Sequence, residues 1–161
     1  MNKLIRIFIL SIFCIGLYSN ANAQAVINSS DTTKLVFDDL QVDLYKVTLD
    51  SNAHTLTVDL FLISYTDTQR ELKLNTFGTT VIDTDGQSHL FAQIGLGKVT
   101  VKFADKQNYL HYLLEEDKPT ALTVVIADWQ KAKPKSLNLV FESSTEEGQF
   151  VKAIIPLDKK D

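Results

Sequence analysis

The sequence predicts an all-β protein, an antiparallel β-sandwich of about seven to nine strands. Beyond Lys34, short runs rich in Val, Ile, Leu, Phe and Thr recur at roughly even spacing and are separated by turn residues, a pattern typical of a sandwich or barrel. Within most runs the apolar residues alternate with polar ones, which is the period of a strand that buries one face. The sequence contains no internal repeat and no low-complexity segment.

The first two long runs carry the most informative patterns. Between Leu44 and Val47 the apolar alternation changes phase, which indicates a β-bulge or a strand that changes sheets. The run from Leu56 to Ile63 starts with strict alternation and ends with apolar residues on both faces. It is therefore expected to be a central strand.

The later runs are expected to complete the two sheets. Val99, Val101 and Phe103 alternate with polar residues, which predicts a strand with one face in water. Runs at 121–126 and 137–141 follow, and residues 150–157 close the domain. Because Pro156 cannot donate to a ladder, the last strand is predicted to lie at a sheet edge.

Two connections are notable. Asp83-Thr84-Asp85-Gly86 predicts a tight hairpin turn, since Asp-Gly readily adopts positive φ. The stretch from Asp105 to Glu116 is ambiguous, because its leucines and tyrosines fit one face of a helix as well as a strand. A short helix near residues 106–115 is therefore an alternative to a strand.

The N-terminus has the pattern of a cleavable signal peptide. Lys3 and Arg6 precede an apolar run from Ile7 to Leu17, and Ala21-Asn22-Ala23 supplies the small residues that a signal peptidase requires. We predict cleavage after Ala23, a flexible leader over residues 24–33 and a single domain over 34–158. A retained membrane anchor is the alternative, but this run is shorter than the roughly 18 residues a span needs.

Cleavage at this point would leave a thiol-free chain. Cys14 is the only cysteine and Met1 the only methionine. Lipidation at Cys14 is an alternative, although bulky Phe13 precedes it where a small residue is preferred. A chain without Cys or Met excludes thiolate catalysis and Cys-ligated metal clusters, and it has no disulfides. We expect no cofactor.

The charge excludes one class of partner. Without Lys3 and Arg6 the chain keeps 14 basic side chains against 20 acidic ones, a net charge near −6. A mildly acidic protein is not suited to neutralise phosphates. We therefore expect no nucleic-acid partner, and no membrane span in the mature chain.

Several stretches together resemble a known class of domains. They are Glu71-Leu72-Lys73-Leu74-Asn75, Val81 to Gln87, Leu122-x-Val124-x-Ile126-Ala127-Asp128-Trp129 and Leu137 to Phe141. Their strand pattern and hairpin chemistry resemble the uncharacterised immunoglobulin-like extracellular domains of bacterial envelope proteins, over about Leu35 to Leu157. The resemblance implies an immunoglobulin-like sandwich that acts in binding, adhesion or assembly, with no shared catalytic residues. Fold alone does not identify a function.

Candidate metal sites have simpler structural explanations. Asp83 and Asp85 suggest calcium, but the position where an EF-hand loop places its Glu is Ile94. His111 and Glu115 would share one face of a helix and could supply two ligands, with no third ligand apparent. His54 and His89 have no spacing that brings them to these groups. We predict no metal site.

The most suggestive surface feature is Trp129-Gln130-Lys131-Ala132-Lys133-Pro134-Lys135. Trp129 with Lys131, Lys133 and Lys135 would form a platform for an anionic glycan or an acidic protein patch, the aromatic giving contact area and the lysines steering. The alternative is that Trp129 closes the end of the core while the lysines are solvated.

These observations predict an exported module, periplasmic, cell-surface or extracellular, that binds a protein or glycan of the cell envelope without catalysis. No Gly-x-Ser-x-Gly or His-Glu-x-x-His motif is present. The alternative function is a small secreted hydrolase whose site is assembled from distant residues. A third hypothesis is a structural subunit that forms a weak homodimer through an edge strand.

Overall fold

The computed structural model describes residues 34–129 and 132–158. The predicted signal peptide, the predicted leader and Lys131 lie outside these residues. The described chain forms twelve strands and one short 3-10 helix, Phe103–Asp105. The strands are β1 Leu35–Phe37, β2 Leu40–Asp50, β3 Thr55–Ser64, β4 Arg70–Asn75, β5 Thr80–Asp83, β6 Ser88–Leu90, β7 Gln93–Leu96, β8 Val99–Lys102, β9 Tyr109–Leu114, β10 Thr120–Ile126, β11 Pro134–Glu142 and β12 Phe150–Pro156.

The strands form two six-stranded antiparallel sheets. The first sheet has the order β1-β2-β3-β10-β7-β8, and the second has β6-β5-β11-β4-β9 with β12 on the other side of β11. β11 pairs along its length with β12, whereas its opposite side pairs first with β5 and then with β4. The predicted all-β sandwich architecture is confirmed. The expected seven to nine strands were too few, because several strands are very short and the chain from Ser88 to Leu96 is divided between β6 in the second sheet and β7 in the first.

The core lies between the facing sides of the two sheets. In β3 every second side chain is buried, beginning with Leu56. Its neighbour β10 contributes Leu122, Val124 and Ile126, while Leu137, Leu139 and Phe141 come from β11 in the other sheet. β3 lies between β2 and β10, so the prediction of a central strand is confirmed.

The phase change in β2 is a β-bulge. Leu44 pairs with Leu60 and Lys46 pairs with Asp59, which leaves Tyr45 as an additional residue. The ring of Tyr45 meets Phe61 edge-on at 5.4 Å on the outer side of the sheet. The bulge therefore keeps apolar residues directed inward both before and after it, without the strand leaving its sheet.

The alternative of a helix near residues 106–115 is wrong. Tyr109–Leu114 is strand β9, and the only helical turn nearby in the described chain ends at Asp105. Leu110 and Leu114 are four residues apart, a spacing that puts two side chains on one face of a strand as well as of a helix. Pairing with β4 buries both leucines in the core.

The predicted edge position of β12 is confirmed. β12, which ends at Pro156, pairs with β11 and with no other strand of the described chain. The prediction that Val99, Val101 and Phe103 share one strand face is only partly correct. Val101 is buried, but Val99 and Phe103 are exposed, and Phe103 lies in the 3-10 helix, because β8 is the short last strand of the first sheet.

The turn between β7 and β8 packs against β9 of the other sheet. Gly97 has φ +55, and a Cβ at this position would overlap the ring of Tyr112. Only glycine therefore allows this close approach at this edge of the sandwich.

Candidate functional site

A cleft opens at one end of the sandwich, between the β2–β3 turn and the β10–β11 loop. Its volume is about 480 Å³, within the usual range for small-ligand sites. The residues that line it are Leu49, Asp50, Ser51, His54, Thr55, Trp129, Ala132 and Lys133. Most of its polar side chains, those of Ser51, His54 and Lys133, lie in the loops that connect the strands.

The β2–β3 turn is held by Asp50. Its Oδ1 accepts hydrogen bonds from the backbone N–H groups of Asn52 and Ala53, both at 2.9 Å. The bond from Ala53, with that from Asn52, lowers the pKa of the Asp50 carboxyl below its ordinary value. His54 ends the turn in the left-handed region with φ 50 and is exposed. The turn thus presents an ionised carboxylate and an imidazole beside the cleft.

Trp129 joins this turn to the β10–β11 loop. Its backbone N–H donates to the His54 carbonyl at 2.8 Å, and its indole Nε1 donates to the Ala132 carbonyl at 3.0 Å. Only 4% of the Trp129 surface is exposed. Trp129 therefore links the β2–β3 turn to Ala132, and most of the indole is covered by protein.

The predicted platform residues have different positions. Trp129 is buried and does not offer a broad exposed ring. Lys133 is exposed and lines the cleft, while Lys135 is exposed one residue into β11. The Lys133 carbonyl accepts from the Thr84 N–H at 2.9 Å, which fixes its backbone. Lys131 lies outside the described residues.

An Asp–His pair lies behind Trp129. His89 packs against the indole with ring centroids 4.5 Å apart, and its Nε2 is 2.8 Å from Asp83 Oδ2. The other carboxylate oxygen of Asp83 accepts the N–H groups of Asp85 and Gln87. The bond to His89, aided by the two backbone bonds, lowers the pKa of the Asp83 carboxyl, although burial opposes it.

The hairpin prediction is confirmed, but the Asp–His pair was missed. β5 and β6 are antiparallel neighbours, and Gly86 has φ +82. Val81 pairs with His89, and Asp83 N bonds Gln87 O. Asp83 and His89 are therefore diagonal neighbours on one face of the hairpin. The turn motif alone leaves this register open, because a two-residue and a three-residue loop give Asp83 different partners in β6, so the pair could not be predicted from the turn.

The three histidines do not meet in one cluster. His54 borders the cleft, His89 pairs with Asp83, and exposed His111 lies 2.9 Å from Glu71 on the outer side of the second sheet. Since the segment is a strand, the helical face that would join His111 to Glu115 does not exist. Within the described ranges, no three His, Cys, Asp or Glu side chains converge as metal ligands.

Neither the protein-family models nor the curated proteins include a match to this chain. In the part of the chain that the structure describes, no helix has the length and apolar character needed to cross a bilayer.

Proposed function

We propose that this protein is an exported, immunoglobulin-like binding module of the bacterial cell envelope, and that its cleft binds an acidic sugar of an envelope glycan. The observation that carries the proposal is that exposed Lys133 lines a cleft that Asp50, Ser51 and Thr55 also line. An ammonium group in such a position favours an anionic ligand group.

The cleft offers both kinds of group that an acidic sugar needs. Lys133 is suited to a carboxylate, while Asp50, Ser51 and Thr55 are suited to hydroxyl groups. The volume of about 480 Å³ holds a ligand of one or two sugar units.

The hydrogen bonds of Trp129 also support binding. Those to His54 and to Ala132 link the two sides of the cleft before any ligand arrives. A site that is already ordered avoids the entropy cost of ordering its loops on binding.

Hydrolysis is the alternative function, and the Asp83–His89 pair is the feature that bears on it. Such a pair can orient a general base. Here, however, Asp83 also holds the hairpin, and the His89 ring packs against Trp129. Among the described residues no hydroxyl group forms a hydrogen bond with His89. We therefore favour binding over hydrolysis.

Tryptophan fluorescence tests the proposal, because Trp129 is the only tryptophan of the chain and lines the cleft. The protein is isolated with the N-terminal processing that its host performs. It is then titrated with oligogalacturonate, an acidic oligosaccharide, and with neutral dextran. We expect a saturable change with the acidic probe and none with dextran. The Lys133→Glu variant should bind about tenfold more weakly, or worse.

Lys152→Glu is the matched control, since Lys152 is an exposed lysine in β12 and the two variants have the same net charge. Its affinity should stay close to that of the unchanged protein. Equal weakening by both substitutions would show that only overall charge matters. That result, or no response to oligogalacturonate, would overturn the proposed site.

A further inference from the structure

The edge strands of the two sheets differ in how they are protected from pairing. In the first sheet, β1 pairs only with the start of β2, and the part of β2 that is left without a neighbour on that side contains the bulge at Tyr45. β8 contains Lys102, β12 contains Lys152 and Pro156, and β6 has three residues. Bulges, lysines, prolines and short length all discourage the addition of another strand.

β9 has none of these protections. Its sequence is Tyr-Leu-His-Tyr-Leu-Leu, without Lys, Pro, Gly, acidic residues or a bulge. Leu113 is 53% exposed, and His111 is exposed beside it. An uncharged, regular, partly apolar edge is the kind that accepts a further strand.

The ladder shows which backbone groups of β9 point away from the sheet. Thr76 N donates to Asn108 O, and Asn75 pairs with Tyr109. Because hydrogen-bonded pairs alternate along antiparallel strands, Leu110, Tyr112 and Leu114 bond with β4. The N–H and C=O groups of Tyr109, His111 and Leu113 therefore face the open edge.

A separate contact agrees with this orientation. The side-chain amide of Gln107 donates to the Tyr109 carbonyl at 2.6 Å, so that carbonyl points away from β4. Gln107 is exposed, and its amide would have to move aside for a strand to pair here. In the described chain, no such contact is made by the outward backbone groups of His111 or Leu113.

We propose that β9 pairs with β9 of a second copy of this chain, antiparallel across a two-fold axis at His111. In this register His111 faces the partner's His111, and Tyr109 faces the partner's Leu113. Each of these pairs exchanges two hydrogen bonds. The arrangement is self-complementary, as a two-fold interface requires.

The charges of β9 do not oppose a second copy. The chain as a whole carries more acidic than basic groups, so two copies repel one another overall, but β9 places no Lys, Arg, Asp or Glu opposite a like charge. In the proposed register, exposed Leu113 is covered by the partner strand. The ring of Tyr109 stacks on Phe150 of its own chain at 5.8 Å, so Tyr109 contributes mainly its backbone groups to the contact. A six-residue strand makes a small contact, so the dimer is weak and depends on concentration.

Sedimentation velocity over roughly three decades of concentration tests the dimer. The protein, isolated with the N-terminal processing that its host performs, should shift reversibly from monomer to dimer as its concentration rises. Leu113→Lys should weaken the dimer by about tenfold or more, because it brings charge into both halves of the interface. Ile154→Lys is the matched control, since Ile154 is 54% exposed on edge strand β12. It should change the dissociation constant little.

A cysteine variant tests the register. In a hydrogen-bonded antiparallel pair the Cα atoms are about 5.5 Å apart, which suits a disulfide. His111→Cys should therefore form a covalent dimer under mild oxidation, whereas Ile154→Cys should remain largely monomeric. Circular dichroism establishes that each variant is folded.

The proposal is independent of the cleft, so glycan binding and dimerisation can fail separately. A protein that stays monomeric at every concentration overturns it. Equal weakening by Leu113→Lys and Ile154→Lys, or growth into open polymers, would also overturn it.

Discussion

Asp83 combines two structural tasks in one carboxylate. One oxygen holds the β5–β6 turn through the N–H groups of Asp85 and Gln87, and the other bonds His89 against Trp129. The group is almost fully buried, with 3% of the residue exposed. A buried carboxylate with this many donors is stable as the anion.

The lowered pKa of Asp83 gives a testable dependence of stability on pH. Because the folded pKa lies below the unfolded value of about 3.9, the anion stabilises the fold at pH values above about 3.9. That stabilisation is lost as the pH falls through the folded pKa. We expect Asp83→Asn to be less stable than the unchanged protein at neutral pH and to lose less stability on acidification.

Asp85→Asn is the control, since Asp85 lies in the same turn and its side chain is exposed. Urea denaturation at a series of pH values measures the free energy of unfolding for each protein. Parallel pH profiles of Asp83→Asn and the unchanged protein would contradict a role for the Asp83 anion.

The sequence predicted backbone features of single residues better than side-chain partners. The positive φ of Gly86 followed from Asp-Gly chemistry, and the bulge at Tyr45 followed from a change in apolar phase. The pairing of Asp83 with His89 required the register of the hairpin as well as its turn. The burial of Trp129 required the β2–β3 turn, which is far away in sequence and whose contacts have no local signal.

At the scale of elements, a buried ion pair joins three separate segments. Arg70 at the start of β4 contacts Asp38 in the β1–β2 turn, with Nη2 2.5 Å from Oδ2. Asp38 also accepts the Ser144 N–H at 2.7 Å, from the β11–β12 loop. Burial raises the Asp38 pKa, but the bonds from Ser144 together with Arg70 outweigh it and leave the pKa below its ordinary value.

Removing the cation should destabilise this junction. The Arg70 side chain is 4% exposed, and its guanidinium lies 5.5 Å from the centre of the Phe141 ring. Arg70→Met keeps an apolar side chain there but leaves Asp38 without its cation. We expect the free energy of unfolding to fall by about 2 kcal/mol, because Arg70 is buried but Asp38 is partly exposed and water can replace part of the lost interaction.

Lys118→Met is the comparison for an exposed pair, since Lys118 and Glu115 are both largely exposed. Its effect should be about 0.5 kcal/mol or less. Urea denaturation of both variants measures the difference. Equal effects of the two substitutions would mean that the Arg70 junction adds no more than a surface contact.

The sequence predicted elements where the pattern was regular. β3, β8 and β12 were expected at their observed positions, because apolar alternation is a local property of the chain, and so is the missing N–H of Pro156. β9 was ambiguous because Leu110 and Leu114 have a spacing shared by helices and strands. Its strand form depends on β4, whose Leu72 and Leu74 lie beside it in the core.

At the scale of the whole molecule, the two sheets differ in what their outer sides present. On the first sheet, Tyr45 and Phe61 pack together. On the second, Lys73 lies 3.1 Å from Glu142 and 4.8 Å from the ring centre of Tyr109. The candidate glycan cleft lies at an end of the sandwich and the proposed dimer contact at an edge, so the two can operate together.

The described residues belong to one compact unit. Its core is built from both sheets, and the only cysteine of the chain, Cys14, precedes it. The stability of this unit must therefore come from apolar burial and hydrogen bonds, with no contribution from a disulfide.

If the chain is exported and cleaved after Ala23, the purified protein should begin at Gln24 and contain no titratable thiol. We expect a single cooperative unfolding transition that is the same by circular dichroism and by Trp129 fluorescence, and that a thiol reductant does not shift. Intact mass, thiol titration and thermal unfolding with and without reductant measure these properties. A purified protein that retains Cys14 would contradict export with cleavage after Ala23. Transitions that differ between the two probes would contradict a single domain, because one disulfide-free core should unfold in one step.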